Sequence, residues 1–259
     1  MKPEDIKDLF DLEESLWWFR GMRRIADSLL TRETDLSSIN NILDVGCGAG
    51  GNLRFLEHYT DNGKVWGMDV SRDALQFCAL DNSGTLVQAS ALQLPFLSDH
   101  FDLVTSFDVL VQLPGDDADA SALREMHRVT RPGGYVFLRA AAYEWMRAGH
   151  DRVMNTQRRY QAGDLRKKLE QAGFEVVRST YANMIPFPAA ILKRLVLERL
   201  HLAARTSDVR RFPKGLSLLD PLFRNALIAE SYLLRHSRVS LPFGLSVICI
   251  AKKPIAPVS

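Results

Sequence analysis

Asn41-Ile42-Leu43-Asp44-Val45-Gly46-Cys47-Gly48-Ala49-Gly50-Gly51 is a short apolar run that ends abruptly in glycines. Residues 41–45 read as a buried strand, because aliphatic side chains dominate and a turn signal follows at once. The glycines let the backbone bend sharply and approach a ligand closely, and a helix over about 51–59 presents its free N–H groups at the same place. Strand, glycine turn and helix in this order predict a nucleotide-type α/β unit.

Outward from this unit the alternation repeats. Strands are expected at 64–70, 85–89, 101–106 and 134–140, with helices at 72–80 and 117–130 between them. This spacing argues for a parallel, doubly wound sheet. A short helix at 163–173, with Gly173 as its C-cap, leads to a strand at 174–181. About sixty residues of helical character, 189–204 and 216–235, then precede a last strand at 245–252. They read as a helical cap inserted before that strand. Upstream, Ile6, Leu9, Phe10, Leu16, Trp17, Ile25 and Leu29 recur at helical spacing and predict a helix over 4–30. The division expected within one domain, 1–259, is a helical lid at 1–38, a cofactor-binding core at 39–182, the cap at 183–243 and the final strand at 244–253.

The loop fits G-x-G-x-x-G through Gly46, Gly48 and Gly51, a pattern that leaves a nicotinamide dinucleotide as a rival ligand. Asp69 closes the second strand about 20 residues beyond the loop, where a carboxylate can accept both ribose hydroxyls. Asp44 tilts the choice of ligand. A carboxylate at the end of the first strand suits a cationic amino-acid group and repels a pyrophosphate, so S-adenosylmethionine is favoured over a dinucleotide.

Here a resemblance is carried by Ile42 to Gly50, Gly67-Met68-Asp69-Val70-Ser71, Leu94-Pro95-Phe96, Phe101-Asp102-Leu103-Val104 and Arg128-Val129-Thr130-Arg131-Pro132-Gly133-Gly134. In order and spacing these stretches resemble the class I S-adenosylmethionine-dependent methyltransferases, type 11 subfamily. The resemblance implies a Rossmann-like α/β fold with a doubly wound, seven-stranded, mostly parallel sheet whose last strand is antiparallel. It puts the methionine part of S-adenosylmethionine against Asp44, Gly46, Cys47, Gly48 and Gly50, with Asn52 nearby. Asp69 falls to the ribose, Val70 and Ser71 lie beside the adenine, and Ser90, Ala91, Ser106 and Phe107 complete the set. Two departures stand out. Ala89-Ser90-Ala91 replaces a common Gly-Asp-Ala, which removes a carboxylate contact to the adenine amine. Val111-Gln112 replaces a frequent Glu-His, so no role can rest on that histidine. Some bacterial relatives among glycan and lipid pathway enzymes also share Trp17-Trp18-Phe19-Arg20, His150-Asp151, Arg158-Arg159-Tyr160 and Leu241-Pro242-Phe243-Gly244, without naming a substrate.

Methyl transfer from a sulfonium is an in-line displacement whose rate rests largely on positioning, and a base is needed only for a protonated nucleophile. The loop at 141–160 can reach the sheet's C-terminal edge, where open α/β sheets bind ligands. His150 is the expected base, with Asp151 or Tyr160 as partner; a purely local role in the loop is the competing reading. Trp17, Trp18, Arg20, Tyr143, Arg159, Tyr181 and Asn183 are the expected acceptor contacts, although core packing is the default for adjacent tryptophans. His127 is expected to be structural.

The totals narrow the class. Of 259 residues, 33 are Lys or Arg and 31 Asp or Glu, so a net charge of +2 gives no case for nucleic acid. Three cysteines with no ligand-like spacing predict neither a metal site nor a disulfide framework. The acidic start is unlike a signal peptide, and the cytoplasm is the expected compartment. A small-molecule acceptor is the expected partner, and the oligomeric state is open. Basic residues from Lys193 to Lys214 make a weak contact of 189–214 with anionic lipid the alternative to a solvated cap face. An NAD-dependent oxidoreductase and a cofactor-binding protein without catalysis are the rival functions.

Overall fold

The computed structural model describes residues 16–60, 63–80, 84–197 and 219–255. Residues 4–15 of the expected N-terminal helix, 198–204 of the expected cap, and the basic run from Arg199 to Lys214 lie outside the described residues. Seven strands form one sheet in the order β3-β2-β1-β4-β5-β7-β6. They are β1 (Asn41–Val45), β2 (Lys64–Asp69), β3 (Thr85–Gln88), β4 (Phe101–Phe107), β5 (Thr130–Ala141), β6 (Glu175–Ala182) and β7 (Ser246–Lys252). The β7 strand runs antiparallel to both neighbours, while β1 to β5 pair in parallel. This is the expected doubly wound, mostly parallel sheet.

Eight α-helices are described: α1 (Trp17–Glu33), α2 (Leu53–Glu57), α3 (Arg72–Cys78), α4 (Ala118–Val129), α5 (Gly149–Val153), α6 (Ala162–Gln171), α7 (Phe187–Ile191) and α8 (Leu219–His236). Alternation along the strands divides the core into two layers. Leu43, Val104, Val136 and Leu138 pack with Leu123 and Met126 of α4 and Leu165 and Leu169 of α6. Ile42, Leu103, Phe137, Ile248 and Ile250 face the other way, onto Ile25 and Leu29 of α1, Leu53 of α2 and Leu227 of α8. Successive strand residues thus serve opposite layers, as the two-residue strand period requires.

The C-terminal half of the expected cap is α8, which stands before the last strand as expected, lies parallel to α1 and completes the layer. Trp17 stacks on Phe223 at 5.1 Å, and Asp27 meets Arg235 at 3.9 Å. At Gly21 an added Cβ would lie 2.4 Å from Leu227 Cδ1, so the two helices meet where α1 has no side chain. Burial of Leu227 and Leu234 is the physical reason for the placement.

The expected strand at 134–140 begins four residues earlier, at Thr130, which pairs with Phe101 across a register shift. Asp102 anchors that corner by accepting from the N–H groups of Asn40 and Asn41 at 2.8 and 2.7 Å and from Arg131 Nε. Gly173 ends α6 with φ +100°, and a Cβ there would meet His127 Nε2 at 2.9 Å. His127 therefore packs against Gly173 and, edge-on, against Phe174.

Candidate functional site

The glycine loop is built by backbone geometry. Gly46, Gly48 and Gly50 all have positive φ, at 79°, 54° and 94°, a region costly to side-chain-bearing residues. Gly46 N and Cys47 N donate to Met68 O at 2.7 and 2.9 Å, which hooks the loop onto the end of β2. Asp69, one residue on, accepts from Gly48 N at 2.9 Å and Ser71 N at 2.8 Å. One carboxylate thus fixes both the loop and the entrance to α3, where Ser71 Oγ caps the helix by accepting from Ala74 N. Each Asp69 oxygen keeps a second lone pair for a ligand.

Beneath the loop Asp44 is buried and accepts from Thr105 Oγ1 at 2.7 Å. Cys47 is buried beside it; its bond to Cys78, burial and the nearby Asp44 and Asp69 charges hold its thiol far above the ordinary range. It is a neutral packing group, not a nucleophile. Asn52 is half-buried at the N-cap of α2 and makes no side-chain capping bond. Just past the end of β2, Val70 is 71% exposed. Ser90 is exposed and accepts from Leu92 N at 3.2 Å, whereas Ala91 packs into the core. Ser106 is buried in β4, and Phe107 faces α1.

Further along the same edge, the residues following β4, β5 and β6 share an unusual conformation. Asp108, Tyr143 and Asn183 have φ of 60°, 60° and 62° without being glycine. Such strain persists only where surrounding contacts impose it, and it clusters at functional sites. Asp108 is held by Arg139, whose Nε donates to Asp108 Oδ2 at 2.8 Å and whose Nη2 lies 2.7 Å from the same oxygen. The Arg139 guanidinium lies between two rings, 4.9 Å from the centroid of Trp18 and 5.1 Å from that of Phe107. Sequence reasoning missed this pair. Its one signal was a lone arginine within the apolar run Tyr135-Val136-Phe137-Leu138-Arg139-Ala140.

Trp18 therefore reaches the edge from α1, and Arg23 of the same helix donates to Gly51 O at 3.3 Å. Arg20 is exposed on α1, while Trp17 is turned to Phe223. Tyr143 stacks on Tyr181 at 5.1 Å and 13°, and Trp145, Phe187 and Phe243 extend the aromatic group. Asn183 is fully buried; its N–H donates to Glu230 Oε1 at 2.6 Å and its Nδ2 to Ser246 Oγ at 3.2 Å. Burial pushes the Glu230 carboxyl up to about 6, against the backbone N–H groups of Met184, Asn183 and Ile185 that favour its charge.

Asp151 and Tyr160, two of the expected catalytic trio, are each engaged by another partner. Asp151 and Arg159 form a buried ion pair at 2.6 Å, with Arg159 Nη1 donating to Ala142 O and Ala148 N to Asp151 Oδ2. Burial opposes the Asp151 charge, but the bond and charge of Arg159 outweigh it and hold the carboxyl below its usual range. This pair ties together the loop after β5, and the Arg159 side chain is buried in it. Tyr160 is buried among core residues and donates to Asp119 Oδ2 at 2.7 Å. Burial and that carboxylate push its hydroxyl well above the usual range. His150 lies on α5, and its side chain is outside what is described. Among the described residues no cluster of His, Cys, Asp and Glu suits a metal ion, and no helix is long and apolar enough to cross a membrane.

Comparison with known proteins bears on the glycine-loop half most directly. Residues 43–138 match the family model Methyltransf_11, described as a methyltransferase domain. Methyltransferase GfsG of Streptomyces halstedii is 33% identical over 118 residues, 43% of this chain and 41% of that one. The fatty-acid O-methyltransferase of Mycolicibacterium smegmatis is 32% identical over 147 residues, 55% of this chain and 50% of that one. The chain thus spans about half or less of these relatives' lengths. Among solved structures, an S-adenosylmethionine-dependent methyltransferase from Mesorhizobium loti superposes with a TM-score of 0.56 at 15% identity, covering 92% of this chain and 99% of that one.

Proposed function

We propose that the chain is a class I methyltransferase of type 11, whose family model matches residues 43–138, and that it moves a methyl group by in-line displacement to a small or medium organic acceptor with an oxygen, nitrogen or sulfur nucleophile. The observation that carries this reading is the loop of three positive-φ glycines tied to Asp69. S-adenosylmethionine, the cofactor of this family, supplies a methyl group activated by its positive sulfur.

The residues present suit that cofactor. Gly46, Gly48 and Gly50 let the backbone come close to the methionine part, and Asp44 places a negative charge beneath it. Asp69 offers its remaining lone pairs to the two ribose hydroxyls, and the exposed Val70 offers an apolar surface to the adenine. Ser71 and Ser90 flank that end. On the acceptor side, Trp18 and Tyr143 are held by Arg139 and Tyr181, which supports preorganised walls rather than mobile ones. Arg20 remains on the α1 surface for a charged acceptor group, and His150 is kept as a proposed base in the loop after β5. Titration calorimetry with S-adenosylhomocysteine and with NADH tests the assignment: micromolar binding of the first and none of the second is expected. The reverse order of affinity would return the loop to a dinucleotide.

A second reading is favoured by one observation. Trp145, Ile185 and Phe243, from three connections at the same edge, are exposed apolar side chains. They suit a lipid or glycan-lipid acceptor taken from a membrane surface, and the basic composition of 189–214 suits anionic headgroups. Flotation with vesicles containing anionic lipid is the test; a protein that stays at the bottom at low salt has no such contact.

A further inference from the structure

Asp108 and Arg139 form a second charged pair at this edge, between the turn after β4 and strand β5. Three observations point the same way. First, Asp108 follows β4 directly, and the next residue, Val109, presses on the glycine loop so closely that a Cβ on Gly46 would lie 2.1 Å from its Cγ2. The Asp108 backbone is therefore fixed against the loop. Second, Nε and Nη2 of Arg139 both lie against a single oxygen, Oδ2. Among the described residues none bonds Oδ1, on a side chain that is 28% exposed, while Arg139 itself is 7% exposed. Third, Asp108 adopts a left-handed φ of 60°, a region aspartate enters more readily than most residues, so the chain turns there without a glycine. A fixed backbone, a buried counter-charge and one unengaged oxygen together describe a carboxylate held in place.

We propose that Asp108 is the catalytic carboxylate on the acceptor side, with Oδ1 taking the proton of a hydroxyl or ammonium acceptor, and that Arg139 is the residue that positions it. The inference rests on the methyltransferase reading above and gives to Asp108 the base role proposed there for His150. In the step, the acceptor atom forms a bond to the methyl carbon as the carbon–sulfur bond breaks, and the acceptor's proton passes to Asp108 Oδ1. Trp18, stacked on the guanidinium, closes the site from α1. The substrate class that follows is an acceptor whose nucleophile carries a proton at working pH, since a thiolate or carboxylate gives Oδ1 nothing to accept.

The test needs no knowledge of the acceptor. The probe is an aziridine analogue of the cofactor, in which a strained ring carbon stands in the region of the methyl group. A facing carboxylate opens the ring: an oxygen–carbon bond forms, a carbon–nitrogen bond breaks, and nitrogen takes a proton from solvent. Peptide mapping by mass spectrometry is expected to find the adduct on Asp108, and excess S-adenosylhomocysteine is expected to prevent it. Asp108→Asn should lose the adduct while binding S-adenosylhomocysteine within about threefold of the parent chain, because the substitution removes charge and little else. Arg139→Met should lower labelling of Asp108 about tenfold through misplacement, and Arg139→Lys should restore part of it. If the probe competes with S-adenosylhomocysteine but labels another residue, or none, the proposal is overturned. If S-adenosylhomocysteine does not bind, the cofactor reading fails instead. A loss in Arg139→Met that Lys does not rescue would remove the positioning role.

Discussion

Around β1 and β2 the site is made of backbone: three glycines in left-handed conformations, hooked to Met68 O and pinned by Asp69. Around β5 and β6 it is made of side chains brought from distant elements, held by the buried pair Asp151–Arg159, by Arg139 under Trp18 and by Glu230 on Asn183. The first half carries little that is particular to this chain, because backbone geometry depends little on side-chain identity. The second half carries what is particular to this chain. Its polar groups are mostly spent on one another, so its shape is set by internal pairing.

If the halves are independent, damage to one leaves the other's ligand unaffected. Arg159→Met leaves Asp151 buried without its counter-charge, and breaking such a pair costs about 3–5 kcal/mol. Urea unfolding should show a loss of that size. S-adenosylhomocysteine affinity, measured where the variant is still folded, should stay within about twofold. A large fall in affinity would mean the loop after β5 also supports the cofactor, and the division would be wrong.

The converse experiment is Gly46→Ala. At φ +79° and 2.1 Å from Val109 Cγ2, the new methyl group meets both backbone strain and a clash. S-adenosylhomocysteine affinity should fall about 100-fold, equivalent to ~2.7 kcal/mol. Gly48→Ala is the control, since nothing lies within 4 Å of a Cβ there. It bears only the left-handed strain, about 1 kcal/mol. Equal effects at the two positions would show that strain alone governs the loop and that the Val109 contact is irrelevant.

These contrasts also explain what could be read before the fold was known. The strands, the glycine turn and Asp69 lie within thirty residues of one another, and each has a local physical signal: period, turn residue, spacing. The pairing of Asp108 with Arg139 depends on β4–β5 register, in which Phe107 sits opposite Arg139. No local pattern encodes that register. Tyr160 looked like a site residue beside His150 and Asp151, but its hydroxyl answers to Asp119 on α4, 41 positions away. The expected cap likewise turned on Gly21 and Leu227, a contact about two hundred residues apart in the chain. A helical period says which face is apolar, not what will cover it.

Glu230 offers a pH test of the side-chain half. Its folded carboxyl is pushed up to about 6 from 4.5, so the folded chain holds that proton more tightly than the unfolded one. The resulting stability is fully present below the unfolded value and is lost as pH rises through about 6. The shift corresponds to about 2 kcal/mol. Glu230→Gln should therefore flatten the profile, gaining on the parent chain by about that amount between pH 4 and pH 7. Parallel profiles would mean that the three backbone N–H groups at Asn183, Met184 and Ile185 compensate the burial fully.

The smallest effect is the most discriminating for the backbone half. Val70 stands 71% exposed at the tip of β2, just after the Asp69 carboxylate that fixes the loop. Truncating a side chain that already faces solvent removes almost no buried area, so Val70→Ala should leave unfolding within about 0.5 kcal/mol of the parent. If its methyl groups cover one face of the adenine, they become buried only in the complex. Losing two of them should then weaken S-adenosylhomocysteine by about 1 kcal/mol, roughly fivefold, from transfer free energy alone. Binding of methionine, which has no adenine, should not change. A variant that loses stability and affinity together would place Val70 in the fold's own packing. One that loses neither would leave β2 contributing only Asp69, and the adenine would then have to be held from the Ser90 side.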